Sequence, residues 1–174
     1  MKLASAIFVA SLYTIQALGQ HATRQDFDDF SKAMKGRWSG QITWITDWPG
    51  QGKRGDKVTG YNNVSINEDG NSVFFKSYGG NGSTSSIIVY NAHTKQILEL
   101  GADSGGSMWS NIWSRQGDKW IANSSGSLAD GKKTEGTFTV TPTDNGNTLT
   151  TTGYLTIGGK KSDDLHDVFH RVSK

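Results

Sequence analysis

Residues 107–140 read SMWSNIWSRQGDKWIANSSGSLADGKKTEGTFTV. Three alternating runs rich in Trp, Ile, Thr and Ser are broken by Gly117-Asp118 and by Ala129-Asp130-Gly131, and this pattern spells a β-meander. Turn chemistry then fixes the register. A two-residue loop with glycine first suits a type II′ turn, which sets Arg115 opposite Trp120, Trp113 opposite Ala122 and Trp109 opposite Gly126. The three-residue loop ending in Gly131 sets Phe138 beside Ala122 and Val140 beside Trp120. One face therefore carries Trp109, Asn111, Trp113, Arg115, Trp120, Phe138 and Val140. Slipping either turn by one residue would send that strand's side chains to the other face.

The same rhythm runs through the rest of the chain. Strands are expected at 37–45, 57–66, 72–78, 84–90, 96–102, 148–157 and 164–172, which with the three of the meander makes about ten. The connections include a Pro- and Gly-bearing loop at 46–52, the turn Asn67-Glu68-Asp69-Gly70-Asn71, a flexible loop at Gly79-Gly80-Asn81-Gly82 and the segment 91–95. Successive short hairpins with few long crossovers favour an up-and-down arrangement over a sandwich. Closing such a meander into a barrel removes the two edges it would otherwise expose. The fold class expected is all-β: an antiparallel up-and-down barrel of about ten strands.

One helix is expected before the strands, over 23–34. Thr23 is placed to cap it, with Asp26, Asp28 and Asp29 near its start and Lys32 and Lys35 near its end. Phe27, Phe30, Ala33 and Met34 share one side, so the helix is expected to close one mouth of the barrel.

With 174 residues and 34% hydrophobic content the chain suits one domain with a single core. The formal charge of +2 includes Lys2, so the rest is nearly neutral and gives no electrostatic argument for nucleic acid or an anionic membrane. Residues 1–19 read as an export signal: Lys2 supplies a positive end, 3–15 are mostly apolar, and Ala17-Leu18-Gly19 precede a plausible cut at Gln20. The apolar part is shorter than the roughly 20 residues of a membrane-spanning helix, so no membrane span is expected. The organisation expected is a signal peptide at 1–19, a helical segment at 20–35 and a barrel at 36–174, secreted or periplasmic. There is no cysteine, so such a chain must be held by its core alone.

The tryptophan spacing Trp109-x3-Trp113-x3-Gly117-x2-Trp120, followed by Gly126-x-Leu128-x-Asp130-Gly131, carries a resemblance. So do Gly36-Arg37-Trp38-Ser39-Gly40, the turn Asp103-Ser104-Gly105-Gly106 and the closing Phe169-His170-Arg171-Val172. Together these segments resemble the lipocalin-like (calycin-type) barrel domain of poorly characterised exported bacterial proteins, a domain sometimes appended to a nuclear-transport-factor-like domain. The resemblance extends from Phe27 to the C-terminus and implies a barrel with a small-ligand interior; it supplies no catalytic residues.

Motifs for chemistry are sparse. Ala102-Asp103-Ser104-Gly105-Gly106 has the look of a serine nucleophile segment, but a triad also needs a placed histidine and acid, and a hairpin turn explains it. His166 and His170 fall on one face of a strand with Asp164, about 13 Å apart, too far to share one ion. No catalytic residue, metal site or cofactor is assigned. Gly52-Lys53-Arg54, Gly131-Lys132-Lys133 and Gly159-Lys160-Lys161 each put two bases at a turn, either as solvated hairpin tips or, if clustered at one end, as an attraction for an acidic ligand.

The tryptophans carry the functional expectation. Trp109, Trp113 and Trp120 are expected to line an interior pocket for a small, partly apolar ligand, with Asn111 and Arg115 orienting a polar or acidic group. Two alternatives stand beside it. One is a carbohydrate-binding or adhesion module with an outward aromatic patch. The other is a barrel enzyme of isomerase or cyclase type, in which His166 or His170 acts as a general base facing a cavity beside an acid.

Overall fold

A computed structural model describes residues 21–173. The expected export signal at 1–19 lies outside the described residues. Helix α1 (Arg24–Met34) leads into β1 (Gly36–Thr43), β2 (Lys57–Asn67), β3 (Ser72–Gly79), β4 (Gly82–Asn91), β5 (Gln96–Asp103), β6 (Met108–Gln116), β7 (Lys119–Ser127), β8 (Lys133–Thr143), β9 (Thr148–Ile157), the two-residue β10 (Lys160–Lys161) and β11 (Leu165–Ser173). Strands β1 to β9 each pair with the next, β9 pairs with β11, and β11 returns to β1. All ten long strands are antiparallel and the sheet closes on itself, as the hairpin rhythm predicts.

Register in the meander is the one derived from the turns. Arg115 faces Trp120, Trp113 faces Ala122 and Trp109 faces Gly126; Phe138 faces Ala122 and Val140 faces Trp120. Gly117 has φ +60°, the first-position conformation of a type II′ turn that a Cβ would oppose. The expected flexible loop at 79–82 is instead a tight two-residue turn: Gly79 pairs with Gly82 across Gly80-Asn81. The first strand ends at Thr43, two residues early, because the chain there leaves the wall to form a long excursion into β2.

α1 forms as its sequence directs. The Thr23 hydroxyl accepts from the Asp26 N–H at 3.0 Å, and the Asp26 carboxylate accepts from the Thr23 N–H at 2.8 Å, a reciprocal capping box. Phe27, Phe30 and Met34 drop into the barrel end with Trp38, Val64, Val73, Ile88, Ile97 and Phe169. Phe27 and Phe30 are 0% and 1% exposed, so the helix is the plug of one mouth and completes the core there. At its C-terminus the Arg171 guanidinium lies 3.9 Å over the Trp38 ring and donates to the carbonyls of Ala33, Lys35 and Gly146. One side chain thus caps the helix and ties it to the last strand. Burial holds the Arg171 pKa below the usual arginine range.

Candidate functional site

Alternation along each strand divides the barrel interior into two halves. Towards α1, the inward positions are apolar and packed. Towards the other mouth, the inward positions of the same strands become Ile42, Asn111, Ser124, Thr134, Phe138, Leu155 and Asp167, and between them lies a cavity of about 280 Å³. That volume sits at the small end of ligand sites.

The chain between β1 and β2 lies across this mouth as a strap. Trp48 bridges Gly52, and its indole N–H donates to the Asp103 carboxylate at 2.6 Å. Asp103 closes the β5–β6 turn as well, accepting from the N–H groups of Gly105 at 2.8 Å and Ser107 at 3.0 Å. Burial pushes its carboxyl up, but the Trp48 and Ser107 donors outweigh burial and hold it below the usual carboxylate range. Arg54 clasps Asp163 between β10 and β11 with two hydrogen bonds, and the Asp163 N–H donates to the Ile45 carbonyl at 3.1 Å. Trp44 and Trp48 lie 6.4 Å apart at 34°, and both contribute to the cavity wall.

Asn111 and Asp167 are two of the buried polar side chains that line that cavity, beside Gln51, Ser107 and Thr134. The Asn111 amide donates to Glu99 Oε2 at 2.8 Å, and Trp113 Nε1 donates to the same oxygen at 2.8 Å. Glu99 therefore fixes which way the amide points, leaving Asn111 Oδ1 buried without a partner, as is Trp44 Nε1. Such unpaired buried atoms are uncommon and costly. The second side chain is Asp167, which accepts from the Thr43 N–H at 3.2 Å where β1 parts from β11. Burial pushes its pKa up to about 6, against a lowering by the Thr43 N–H and by nearby His166.

The five residues singled out from sequence share one face but are spread along it. Trp109 and Asn111 line the cavity. Trp109 has glycine on both sides, Gly101 and Gly126, and a methyl at Gly101 would sit 2.3 Å from its ring. Trp113 and Trp120 lie in the other half, packed on Phe30 at 5.1 and 5.3 Å between ring centres. Arg115 is on that same rim, 5.4 Å from the Trp120 ring and bonded to Asp29 at 2.7 Å. Hydrogen bonds from Gln25 and from Arg115 hold the Asp29 carboxyl below its ordinary range. Asp167, Glu99, Trp44 and Trp48 were missed. Parity carried the signal for the first two: Asp167 alternates with Leu165 and Phe169, and Glu99 with Ile97 and Gly101.

Other sequence candidates fall outside the cavity. His166 and His170 point outward and are exposed, so neither faces a cavity beside an acid. Among the described residues the exposed aromatics are Tyr61, Phe74, Tyr78 and Tyr154, whereas Trp38, Trp113 and Trp120 are buried. The three basic turns do gather at the open mouth, yet Arg54, Lys132, Lys133 and Lys161 are each paired with an acid there. Among the described residues no three His, Asp or Glu side chains gather to hold a metal ion, and no helix is long and apolar enough to cross a membrane.

No family model and no curated protein matches the chain. Among solved structures it is similar to the crystal structure of Rv2717c from M. tuberculosis, with a TM-score of 0.60 at 16% identity over 83% of this chain and 96% of that one. That identity carries the fold and nothing further: the chain is a ten-stranded antiparallel barrel.

Proposed function

We propose that this protein is an exported small-molecule-binding barrel, secreted or periplasmic, of the lipocalin-like kind found in exported bacterial proteins. The observation that carries the reading is the cavity: about 280 Å³ inside one half of the barrel, walled by Trp109, Trp44, Trp48, Phe138 and Leu155, with the unpartnered Asn111 Oδ1 in it. A mostly apolar space with few convergent polar groups is how ligand sites are built. The ligand is small and partly apolar, with Trp109 as its stacking surface and Asn111 as its anchor. Trp113, Trp120 and Arg115 act one layer removed, by holding Glu99 and the helix plug. The outward histidines support a binder over a barrel enzyme.

Intrinsic tryptophan fluorescence tests this, because three of the cavity's walls are indoles. Titration with small aromatic and aliphatic molecules is expected to shift the emission saturably, and Trp109→Ala is expected to weaken binding by about tenfold or more. Saturable binding unaffected by Trp109→Ala, or no response to any such molecule, overturns the reading.

A further inference from the structure

The charged lining of the cavity is one-sided. Asn111 Oδ1 accepts and has no donor, Asp103 and Asp167 present carboxyl groups, and Glu99 stands behind the Asn111 amide. Among the described residues no Lys, Arg or His lines the cavity. Of the bases in the three turns at the mouth, Arg54, Lys132, Lys133 and Lys161 are each held by an acid, and Lys53 and Lys160 are exposed outside the cavity lining. An anion entering here would lose its hydration and face two carboxyl groups, with the neutral N–H groups of Trp44 and Gln51 as its unpaired donors, a costly exchange. A cation gains from the carboxylates, from the waiting Asn111 acceptor and from indole faces that attract positive charge.

From this base-free cavity with two carboxyl groups and an unpartnered amide oxygen we propose that the ligand is a small primary or secondary organic ammonium ion with an apolar, aromatic body. The proposal rests on the pocket reading above and names its substrate class. The ammonium sits between Asn111 Oδ1 and the Asp167 carboxylate, and the body stacks against Trp109. Asn111 cannot turn its own donor towards the ligand without giving up Glu99, so its side of the cavity takes an N–H-bearing head.

Acid should release such a ligand. Burial pushes the Asp167 pKa up to about 6, and the groups around it are the Thr43 N–H from β1, the uncharged Thr151 from β9, Asp103 in the same cavity lining, and its chain neighbour His166 on the outer face. Bound ammonium favours the ionised carboxyl and lowers that pKa, so affinity falls as pH drops through the free protein's value.

Benzylamine, benzyl alcohol and benzoate share a body and differ in head group, so calorimetric titration with the three separates the pocket from its selectivity. At about pH 7.5 benzylamine is expected to bind roughly tenfold tighter than benzyl alcohol, with benzoate weakest, and its advantage is expected to shrink several-fold at about pH 5. Asp167→Asn keeps the acceptor for Thr43 and is expected to remove the amine's advantage while leaving benzyl alcohol within about twofold, which also reports that the variant is folded. If benzyl alcohol or benzoate binds as well as benzylamine, or Asp167→Asn leaves the preference intact, the ammonium assignment fails and the pocket stands. Failure of all three to bind overturns both.

Discussion

The two halves of this barrel are built from the same strands and behave as opposites. At the helix end every inward position is filled: Phe30 meets Trp113 and Trp120, Trp38 donates its indole N–H to the Met34 carbonyl at 2.9 Å, and Arg171 satisfies three carbonyls at once. At the strap end the inward side chains leave a cavity, and three buried polar atoms in its lining, on Trp44, Gln51 and Asn111, have no partner. The difference teaches where each half's free energy goes. One end stabilises the fold; the other gives up packing and hydrogen bonds to keep space for something else.

That division breaks most sharply at Phe30. Phe30→Ala is expected to destabilise the protein by about 3–5 kcal/mol, since the lost ring underlies both tryptophans and the plug, and urea unfolding measures it. If the cost is below about 1 kcal/mol, the helix end is not the core. Trp109→Ala should do the reverse, removing ligand-induced fluorescence change at a stability cost of about 2 kcal/mol or less, because its ring covers glycines beside empty space.

Asp167 sharpens the comparison through pH. Its folded pKa of about 6 lies above the ordinary carboxyl value, so the native state holds its proton longer than the unfolded chain does. The group therefore costs nothing in acid and its cost grows as pH rises through about 4 to 6. Asp167→Asn is expected to raise neutral-pH stability by roughly 1 kcal/mol, allowing for partial solvent access, with the gain vanishing near about pH 4. A gain that persists in acid would mean the carboxyl is not the cause. The smallest effect belongs to Arg115→Met, which removes an exposed pair with Asp29 and is expected to leave ligand affinity unchanged and thermal midpoint lowered by at most a degree or so. A large loss of binding would instead move the anchor to the helix rim.

The strand rhythm, the helix with its Thr23 cap and the meander register were all legible in the sequence, because turn type and side-chain parity are local properties. Gly117 and Gly131 announced their own conformations, and these fixed which residues face each other across three strands. Parity says nothing about depth. Trp109 and Trp113 share a face four residues apart, yet one lines the cavity and the other packs under the plug; that difference arises only when Phe30 arrives from outside the sheet. The strap was legible as a loop and illegible as a wall, since Trp48 reaches the cavity through Asp103, 55 residues on. Asp167 was hidden between two conspicuous histidines on the opposite face.

The last strand ends beside the first, with Ser173 opposite Arg37, and the Ala22 N–H bonds the Lys95 carbonyl at that same end of the barrel. Both extremities of the described chain therefore leave on the helix side. A tether, fusion partner or resin attached after Ser173 would hold the molecule by its stopper and leave the strap facing open solution.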